Sequence, residues 1–158
     1  MLKFLTYNVT TLLDKEKDTD LHGQGKTVGL VGKGFATALD ALFDEEGISC
    51  VAVQEARWRS QGTTMLKHYR VYHCASDRGN YGTQLWVAKS SALRVQKAEF
   101  FGNRTVALHA RIGDREVLVC ACHAPHEQRP DSEKDKYFAL VNDIIAAEKA
   151  KGKEIVVL

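Results

Sequence analysis

Two short apolar runs, each preceded by a helix pattern and a glycine, constrain the fold of this chain most strongly. Residues 48–54 (ISCVAVQ) and 154–158 (EIVVL) are rich in β-branched side chains, which is typical of strands buried on both faces. Residues 35–46 carry apolar side chains at helical spacing, and Gly47 follows them as a helix stop. The second run follows another predicted helix, which ends at Gly152. This order of helices and buried strands predicts an α/β fold.

The remaining segments read mainly as strands. Residues 105–112 and 115–123 flank Gly113-Asp114, a two-residue turn of the kind that closes a β-hairpin. The other predicted strands cover residues 2–9, 69–74, 83–89 and 93–100.

Each predicted helix has one apolar face. On the first helix this face holds Phe35, Leu39, Leu42 and Phe43, and on the second, which begins at Asp131, it holds Tyr137, Leu140, Val141 and Ile144. Both faces are predicted to pack on sheets.

Composition sets the broad class. The chain has 158 residues, of which 44% are hydrophobic and 27% charged, and this favours one soluble globular domain over residues 1–158. A net charge of +2 gives no strong pull toward nucleic acid, so any polyanion site must rest on locally placed cations. Residues 10–34 combine clustered charges with several glycines and predict a long mobile loop.

Localisation signals are few. No stretch reaches the roughly 20 apolar residues that cross a bilayer, and no signal-peptide pattern follows Met1. We therefore expect an intracellular protein without a membrane partner, compatible with the nucleus. The four cysteines, Cys50, Cys74, Cys120 and Cys122, are expected to be reduced thiols in or near the core.

The last residues are unusual for a chain terminus. Residues 155–158 are four apolar side chains with no turn after them, whereas termini are normally polar. Loops beyond the ends of buried strands often carry the chemistry of α/β proteins. The pattern therefore predicts that the sequence stops where a functional loop would begin.

Polar side chains follow three of the predicted strands. Asn8 ends the first, Glu55 follows the second, and His123 ends the outgoing strand of the hairpin. If these strand ends meet at one edge, an amide, a carboxylate and an imidazole converge there. Because Mg²⁺ prefers oxygen ligands and keeps several waters, one or two carboxylates suffice to hold it. Taken singly, each residue is better explained as a solvated or structural side chain than as a functional one.

A zinc site is the competing interpretation of one segment. Cys120, Cys122, His123 and His126 lie close together in the sequence. Structural zinc sites usually pair cysteines that are three to five positions apart with a second pair elsewhere. Two cysteines separated by one residue in a strand point to the same face and suit a core, so zinc is the weaker interpretation.

The ordered set of motifs resembles the endonuclease/exonuclease/phosphatase superfamily. Its pieces are Tyr7-Asn8-Val9, Val53-Gln54-Glu55, Gly82-Thr83-Gln84-Leu85-Trp86, Cys122-His123-Ala124-Pro125 and Ile155-Val156-Val157-Leu158. The details Thr-Tyr-Asn-Val-Thr-Thr-Leu and Gln-Glu-Ala-Arg-Trp look most like endonuclease domains of non-LTR retrotransposons. The resemblance covers this chain from residue 4 onward but only the first half of the family pattern. It implies half of a two-sheet β-sandwich flanked by helices, as in deoxyribonuclease I.

The resemblance also implies roles for individual residues. Glu55 matches the metal-binding glutamate, Asn8 the asparagine that orders the metal and phosphate site, and His123 a residue near the scissile phosphate. Arg57 matches an arginine that deoxyribonuclease I-like members place against DNA. From their composition alone, Arg78 and Asn80 belong to a loop that suits a nucleic-acid strand. The implied cofactor is Mg²⁺, with Mn²⁺ as a substitute.

Two family motifs are missing from this sequence. The family continues after its counterpart of residues 155–158 with Gly-Asp-x-Asn, and later carries an Asp-His pair that promotes attack by water. We therefore expect the 158-residue chain to be inactive or nearly so. We also expect a missing C-terminal half or a protein partner to cover an exposed sheet.

The implied function is Mg²⁺-dependent cleavage of DNA phosphodiesters by a retrotransposon-type endonuclease. A non-catalytic remnant or nucleic-acid-binding module is the main alternative. The second alternative keeps the fold but takes inositol phosphates or sphingomyelin as substrate, since the superfamily also contains such phosphodiesterases.

Overall fold

The computed structural model describes residues 1–9, 34–76 and 81–158. The predicted mobile loop, except for Gly34, lies outside the described residues. The elements in chain order are β1 (Phe4–Asn8), α1 (Phe35–Glu45), β2 (Cys50–Gln54), β3 (Gly62–Met65), β4 (Tyr69–His73), β5 (Gln84–Ala88), β6 (Arg94–Phe101), β7 (Thr105–Ile112), β8 (Arg115–Cys122), α2 (Asp131–Lys149) and β9 (Glu154–Val157).

The strands form two sheets. The first has five strands in the order β1-β2-β5-β4-β3, and the second has four in the order β6-β7-β8-β9. The pairs β1–β2 and β8–β9 are parallel, and all the other pairs are antiparallel. The predicted hairpin is confirmed, because Ile112 pairs with Arg115 around a left-handed Gly113. In both parallel pairs the strands are joined through other elements, as parallel connections require.

The two sheets pack face to face over the main core. One side chain in two along each strand points to this core, as the strand period of two dictates. The first sheet contributes Cys50, Ala52, Tyr72, Leu85 and Val87, and the second contributes Val106, Leu108, Ala110, Val117, Val119 and Ala121. The predicted α/β class with a two-sheet sandwich is thereby confirmed.

Each sheet carries one helix on its outer face. Leu39 and Phe43 of α1 pack on the first sheet against a cluster that includes Trp86. Ile144 of α2 packs on the second sheet against Leu118 and neighbouring side chains. One helix therefore packs on the outer face of each sheet, and the expectation that a missing C-terminal half or a partner covers an exposed sheet stays a prediction. Among the described strands, the edge strands are β1 and β3 in the first sheet and β6 and β9 in the second.

Some local predictions differ from the structure. Leu42 and Leu140 were expected in the core but are 47% and 38% exposed. The strand β3 (GTTM) was not predicted, because its residues alternate in burial without an apolar pattern. Asp40, which a helical pattern would place in solvent, is buried and accepts hydrogen bonds from the backbone N–H groups of His68 and Tyr69.

The cysteines follow their prediction. All four are free thiols, and Cys50, Cys74 and Cys120 are buried. Burial raises the pKa of each of these three thiols to about 12, so they are neutral side chains of the core. Within the described residues, no helix has the length and apolar character that crossing a membrane demands.

Candidate active site

The first half of the candidate site lies at the end of β1 and β2. Parallel pairing places Asn8 opposite Gln54, so the Asn8 side chain lies beside the residue that follows the strand. The Asn8 side-chain amide donates a hydrogen bond to Oε1 of Glu55 over 3.3 Å. The predicted convergence of this amide and this carboxylate is therefore present in the structure.

The backbone after β2 turns sharply to present Glu55. Glu55 and Arg57 have φ angles of 59° and 58°, which is left-handed backbone that L side chains rarely adopt. The N–H groups of Ala56 and Arg57 donate to the carbonyls of Gly82 and Tyr81 at 2.9 Å each. Such backbone persists only where surrounding contacts hold it, and it is common at functional sites.

Gly82 is required by the close approach of these two segments. A Cβ at this position would lie 2.9 Å from the backbone nitrogen of Arg57, and the φ angle of Gly82 is 88°. Any side chain here would push the Glu55 segment away from the end of β5. The glycine of the sequence motif thus has a direct role in placing the carboxylate.

The second half of the site lies at the end of β8. The His123 backbone N–H donates to the carbonyl of Arg104 over 2.9 Å, which continues the strand pairing past Cys122. Burial lowers the pKa of His123 below its ordinary value, and the positive charge of Arg104 lowers it further, while the Glu55 carboxylate acts in the opposite direction. His123 is therefore neutral near pH 7, and its buried Nδ1 has no hydrogen-bond partner within the described part of the chain.

A cluster of one tyrosine and two arginines joins His123. The guanidinium carbon of Arg104 lies 3.9 Å from the ring centroid of Tyr81, within cation–π range. The Tyr81 hydroxyl accepts a hydrogen bond from Arg129. The Tyr81 ring also meets the His123 ring edge to face, with centroids 5.9 Å apart.

The predicted nucleic-acid contacts are only partly described. Arg57 is half-buried, and its Nε is a buried donor for which the described residues offer no acceptor. The Arg57 guanidinium is therefore not fully solvated, and its hydrogen-bond donors are not all satisfied within the described residues. Arg78 and Asn80 lie outside the described residues.

The metal-ligand chemistry of the site is limited but suitable for a hard cation. The described residues contain no group of three or more His, Cys, Asp or Glu side chains placed to hold a metal ion. Glu55 and Asn8 offer carboxylate and amide oxygens, and a Mg²⁺ ion that keeps several waters needs few protein ligands. These two residues therefore fit a magnesium ion. For the zinc interpretation, Cys120 and Cys122 instead pack against the α2 side of the second sheet.

Solved structures share this architecture. A humanised D. rerio TDP2 carrying 14 mutations matches with a TM-score of 0.56 at 14% identity, covering 92% of this chain and 56% of that chain. The AP endonuclease LMAP from Leishmania major matches with a TM-score of 0.53 at 18% identity, covering 81% and 41%. An AP endonuclease from Archaeoglobus fulgidus gives 0.52 at 16% identity, covering 87% and 46%. The fold is deoxyribonuclease I-like.

The deoxyribonuclease I-like fold is the fold that the sequence resemblance implied. This chain spans about half the length of the solved proteins, between 41% and 56% for the three named. No protein-family model and no curated protein sequence matches it. The finer resemblance to retrotransposon endonucleases stays a prediction.

Three residues of the candidate site escaped the sequence interpretation. Arg104 precedes a strand and Arg129 precedes a helix, positions at which arginine is usually solvated. Tyr81 follows Asn80 directly in the loop segment that the sequence assigned to nucleic-acid contact. The one available signal was the pair Tyr81-Gly82 shortly before a buried strand. A glycine at such a position indicates that another backbone segment comes close to it, and this contact also fixes the neighbouring residue. Which side chains converge on Tyr81 depends on how the two sheets pack.

Proposed function

We propose that the chain carries the Glu55 half of a Mg²⁺-dependent phosphodiesterase site that acts on DNA, of the retrotransposon endonuclease type. The observation that carries this proposal is the contact of Asn8 with Glu55 at the end of the first sheet, 3.3 Å between Nδ2 and Oε1. The solved relatives named as AP endonucleases support DNA as the substrate class.

Glu55 and Asn8 form the metal-binding part of the proposed site. The Glu55 carboxylate holds the ion, and the Asn8 amide fixes the orientation of that carboxylate through their hydrogen bond. When bound, Mg²⁺ supplies positive charge that polarises a phosphoryl oxygen. The ordering of Glu55 by the left-handed turn keeps the carboxylate in place before the substrate arrives.

His123 and Arg57 form the phosphate-binding part. Neutral His123 keeps one ring nitrogen as donor and the other as acceptor, so it can hydrogen-bond a phosphate oxygen without a change of protonation near pH 7. Arg57, two residues after Glu55 in the chain, contributes a charged donor. Arg78 and Asn80 extend the proposed DNA contacts.

A DNA-binding module without catalysis is the second candidate. The observation in its favour is the small number of metal ligands, since the described residues hold no cluster of three acidic or imidazole groups. Phosphodiester cleavage also needs a group that orients water, and none is assigned in the described residues. This candidate predicts DNA binding by the 158-residue chain with no cutting.

The metal proposal is tested by titrating the chain with Mn²⁺ in place of Mg²⁺ and measuring binding by calorimetry. Glu55→Gln keeps the size of the side chain and removes its charge, so we expect Mn²⁺ affinity to fall by at least about tenfold. Glu45→Gln is the matched control, because Glu45 is an exposed glutamate at the end of α1. Equal Mn²⁺ affinity in the wild type and Glu55→Gln would contradict the assignment.

The activity is tested separately by nicking of supercoiled plasmid in Mg²⁺, with DNA binding followed by fluorescence anisotropy. Where nicking is present, in this chain or in a longer protein encoded with it, Glu55→Gln should lower the rate by about 10²-fold or more. DNA binding without nicking in every such protein would support the second candidate. A Glu55→Gln variant that nicks at the wild-type rate rules out the proposed mechanism.

A further inference from the structure

The two halves of the candidate site lie on different sheets. Asn8 and Glu55 follow strands of the first sheet, and His123 follows a strand of the second. The apolar core fixes the sheets relative to each other. Glu55 follows the last paired residue of β2, whereas His123 keeps one backbone hydrogen bond past the end of β8, from its N–H to the Arg104 carbonyl. The separation of the two side chains therefore depends on the packing of the sheets and also on the contacts that link these two segments directly.

The backbone of Tyr81 is hydrogen-bonded to the segment that carries Glu55. Its carbonyl accepts the Arg57 N–H at 2.9 Å, and the next carbonyl, of Gly82, accepts the Ala56 N–H at 2.9 Å. Tyr81 itself has left-handed backbone, with a φ angle of 63°, as do Glu55 and Arg57. Three strained residues in two adjoining segments hold one another in place.

The side chain of Tyr81 packs against the segment that carries His123. Its ring contacts the His123 ring edge to face at 5.9 Å, with 66° between the planes. The Arg104 guanidinium lies on the ring at 3.9 Å, and Arg129 donates to the hydroxyl. Ring and hydroxyl are thus fixed by separate contacts.

Arg104 connects this ring to the backbone of the His123 segment. Its Nη1 reaches the carbonyls of His123 and Ala124 at 3.4 and 3.3 Å, and its Nη2 reaches Glu133 of α2 at 3.4 Å. The residue is only 8% exposed, so it is a buried cation with partners on every side. A planar guanidinium satisfies several acceptors while its face packs on a ring, which a lysine cannot do.

We propose that Tyr81 is the positioning residue that sets the distance between Glu55 and His123. Its backbone holds the Glu55 segment, and its ring, fixed by Arg104 and Arg129, holds the His123 segment. This role rests on the proposed function for its catalytic meaning, whereas the mechanical link is a property of the fold. Tyr81 acts through its neighbours and is given no contact with substrate.

The link is tested first without metal, by nuclear magnetic resonance of the labelled chain. Tyr81→Asn removes the ring but keeps a residue that tolerates left-handed backbone. We expect the amide signals of Ala56 and Arg57 and the ring signals of His123 to shift and broaden together. Phe138→Asn, which removes an exposed aromatic ring from α2, is the control and should leave both sets unchanged. Tyr81→Phe keeps the ring and should preserve the His123 signals.

Bound Mn²⁺ then reports the spacing, because its unpaired electrons broaden nearby proton signals. In the wild type we expect broadening of the Asn8 side-chain amide and of the His123 ring. In Tyr81→Asn the Asn8 broadening should remain and the His123 broadening should be lost. Retention of both would overturn the positioning role and leave the proposed metal site intact.

The failures of the two proposals are distinguishable. If Mn²⁺ broadens neither signal in the wild type, the metal assignment fails, and the metal-free spectra alone decide the role of Tyr81. If Tyr81→Asn does not fold, Arg104→Lys is the second variant, since it keeps the charge and loses the planar contacts. It should perturb the His123 signals and leave those of Ala56 unchanged. Unperturbed His123 signals in that variant would overturn the link.

Discussion

The two helices cover their sheets by different chemistry. On the first sheet, α1 inserts Phe43 into an aromatic cluster, with ring centroids 5.7 Å from Tyr7, 6.3 Å from Tyr69 and 5.8 Å from Trp86. On the second sheet, α2 buries Tyr137 and Glu148. One helix is held chiefly by apolar area and the other in large part by paired charges.

The charged contacts of α2 form a connected network. Glu148 accepts a hydrogen bond from Lys151 and forms an ion pair with Lys153, at 2.5 Å each, and Lys153 also lies 3.1 Å from Nδ1 of His109. Nε2 of His109 lies 2.6 Å from Glu99, so this nitrogen donates and Nδ1 accepts from the lysine. The network joins the end of α2 to strands β6 and β7. Its strength depends on charge state, whereas apolar packing does not.

The comparison shows that two helices packed on similar sheets can respond differently to the same change in conditions, such as a change of pH. Apolar burial of a phenylalanine contributes several kcal/mol and is insensitive to pH. A carboxylate held by two ammonium groups contributes less in net terms, because each charge loses water on burial. The predictions below separate the two contributions.

The largest expected effect is on the α1 side. Phe43 is 3% exposed, so Phe43→Ala should lower the free energy of unfolding by about 3–5 kcal/mol. Denaturant titration followed by circular dichroism measures this loss. Phe138→Ala on α2 is the matched control, since Phe138 is 51% exposed and should cost far less. Equal losses in the two variants would refute the contrast between the helices.

A smaller effect is expected when the charge network of α2 is broken. Glu148→Gln removes the charge that Lys151 and Lys153 contact, and the unfolding free energy should fall by about 1–3 kcal/mol. The same denaturant titration applies, and Glu116→Gln on exposed surface is the control. A loss as large as that of Phe43→Ala would show that paired charges dominate on this side.

Lowering the pH should weaken the charged contacts of α2 and leave the apolar packing of α1 unchanged. The lysines hold the pKa of Glu148 at about 2, well below its ordinary value of 4.5. Because the unfolded state binds the proton first, this stabilisation is complete above pH 4.5 and is lost as the pH falls toward 2. The stability difference between wild type and Glu148→Gln should therefore shrink between pH 5 and pH 3, as denaturant titrations at stepped pH would show. A constant difference would exclude Glu148 as an acid-sensitive contact.

The smallest effect concerns the two leucines that the helical pattern wrongly placed in the core. Leu42→Lys and Leu140→Lys should each change the unfolding free energy by no more than about 0.5 kcal/mol, because both positions are partly exposed and a lysine there can extend its charge into solvent. Leu39→Ala, at a position 4% exposed, should cost about 2–5 kcal/mol and serves as the reference. A large loss in Leu42→Lys would mean that the outer side of α1 is covered.

Sequence patterns predicted the strands well and the helix faces less well. The apolar runs of β2 and β9 and the turn at Gly113 are local signals, and each predicted strand appears within about two residues of its range. The face of a helix depends on which sheet it meets, so Leu42 and Leu140 could not be separated from Leu39 by spacing alone. The missed β3 has no local apolar signal and exists because β4 pairs with it.

In the candidate site, too, some features followed from the sequence and others required the tertiary structure. The positions of Asn8, Glu55 and His123 at strand ends follow from the sequence, because apolar runs that end in a polar residue mark those ends. The meeting of Asn8 with Glu55 required the parallel register of β1 and β2. The convergence of Arg104 and Arg129 on Tyr81 required the packing of two sheets and a helix.

The sequence by itself determined the order of both helices and of every described strand except β3, the polar residues at the strand ends and the resemblance to one fold. Those features come from periodicity and turn chemistry, which act over a few residues. Tertiary structure alone decided which distant side chains touch Tyr81, which leucines are exposed and which lysines lower the pKa of Glu148. These depend on distances between residues far apart in the chain, and no local pattern encodes such distances.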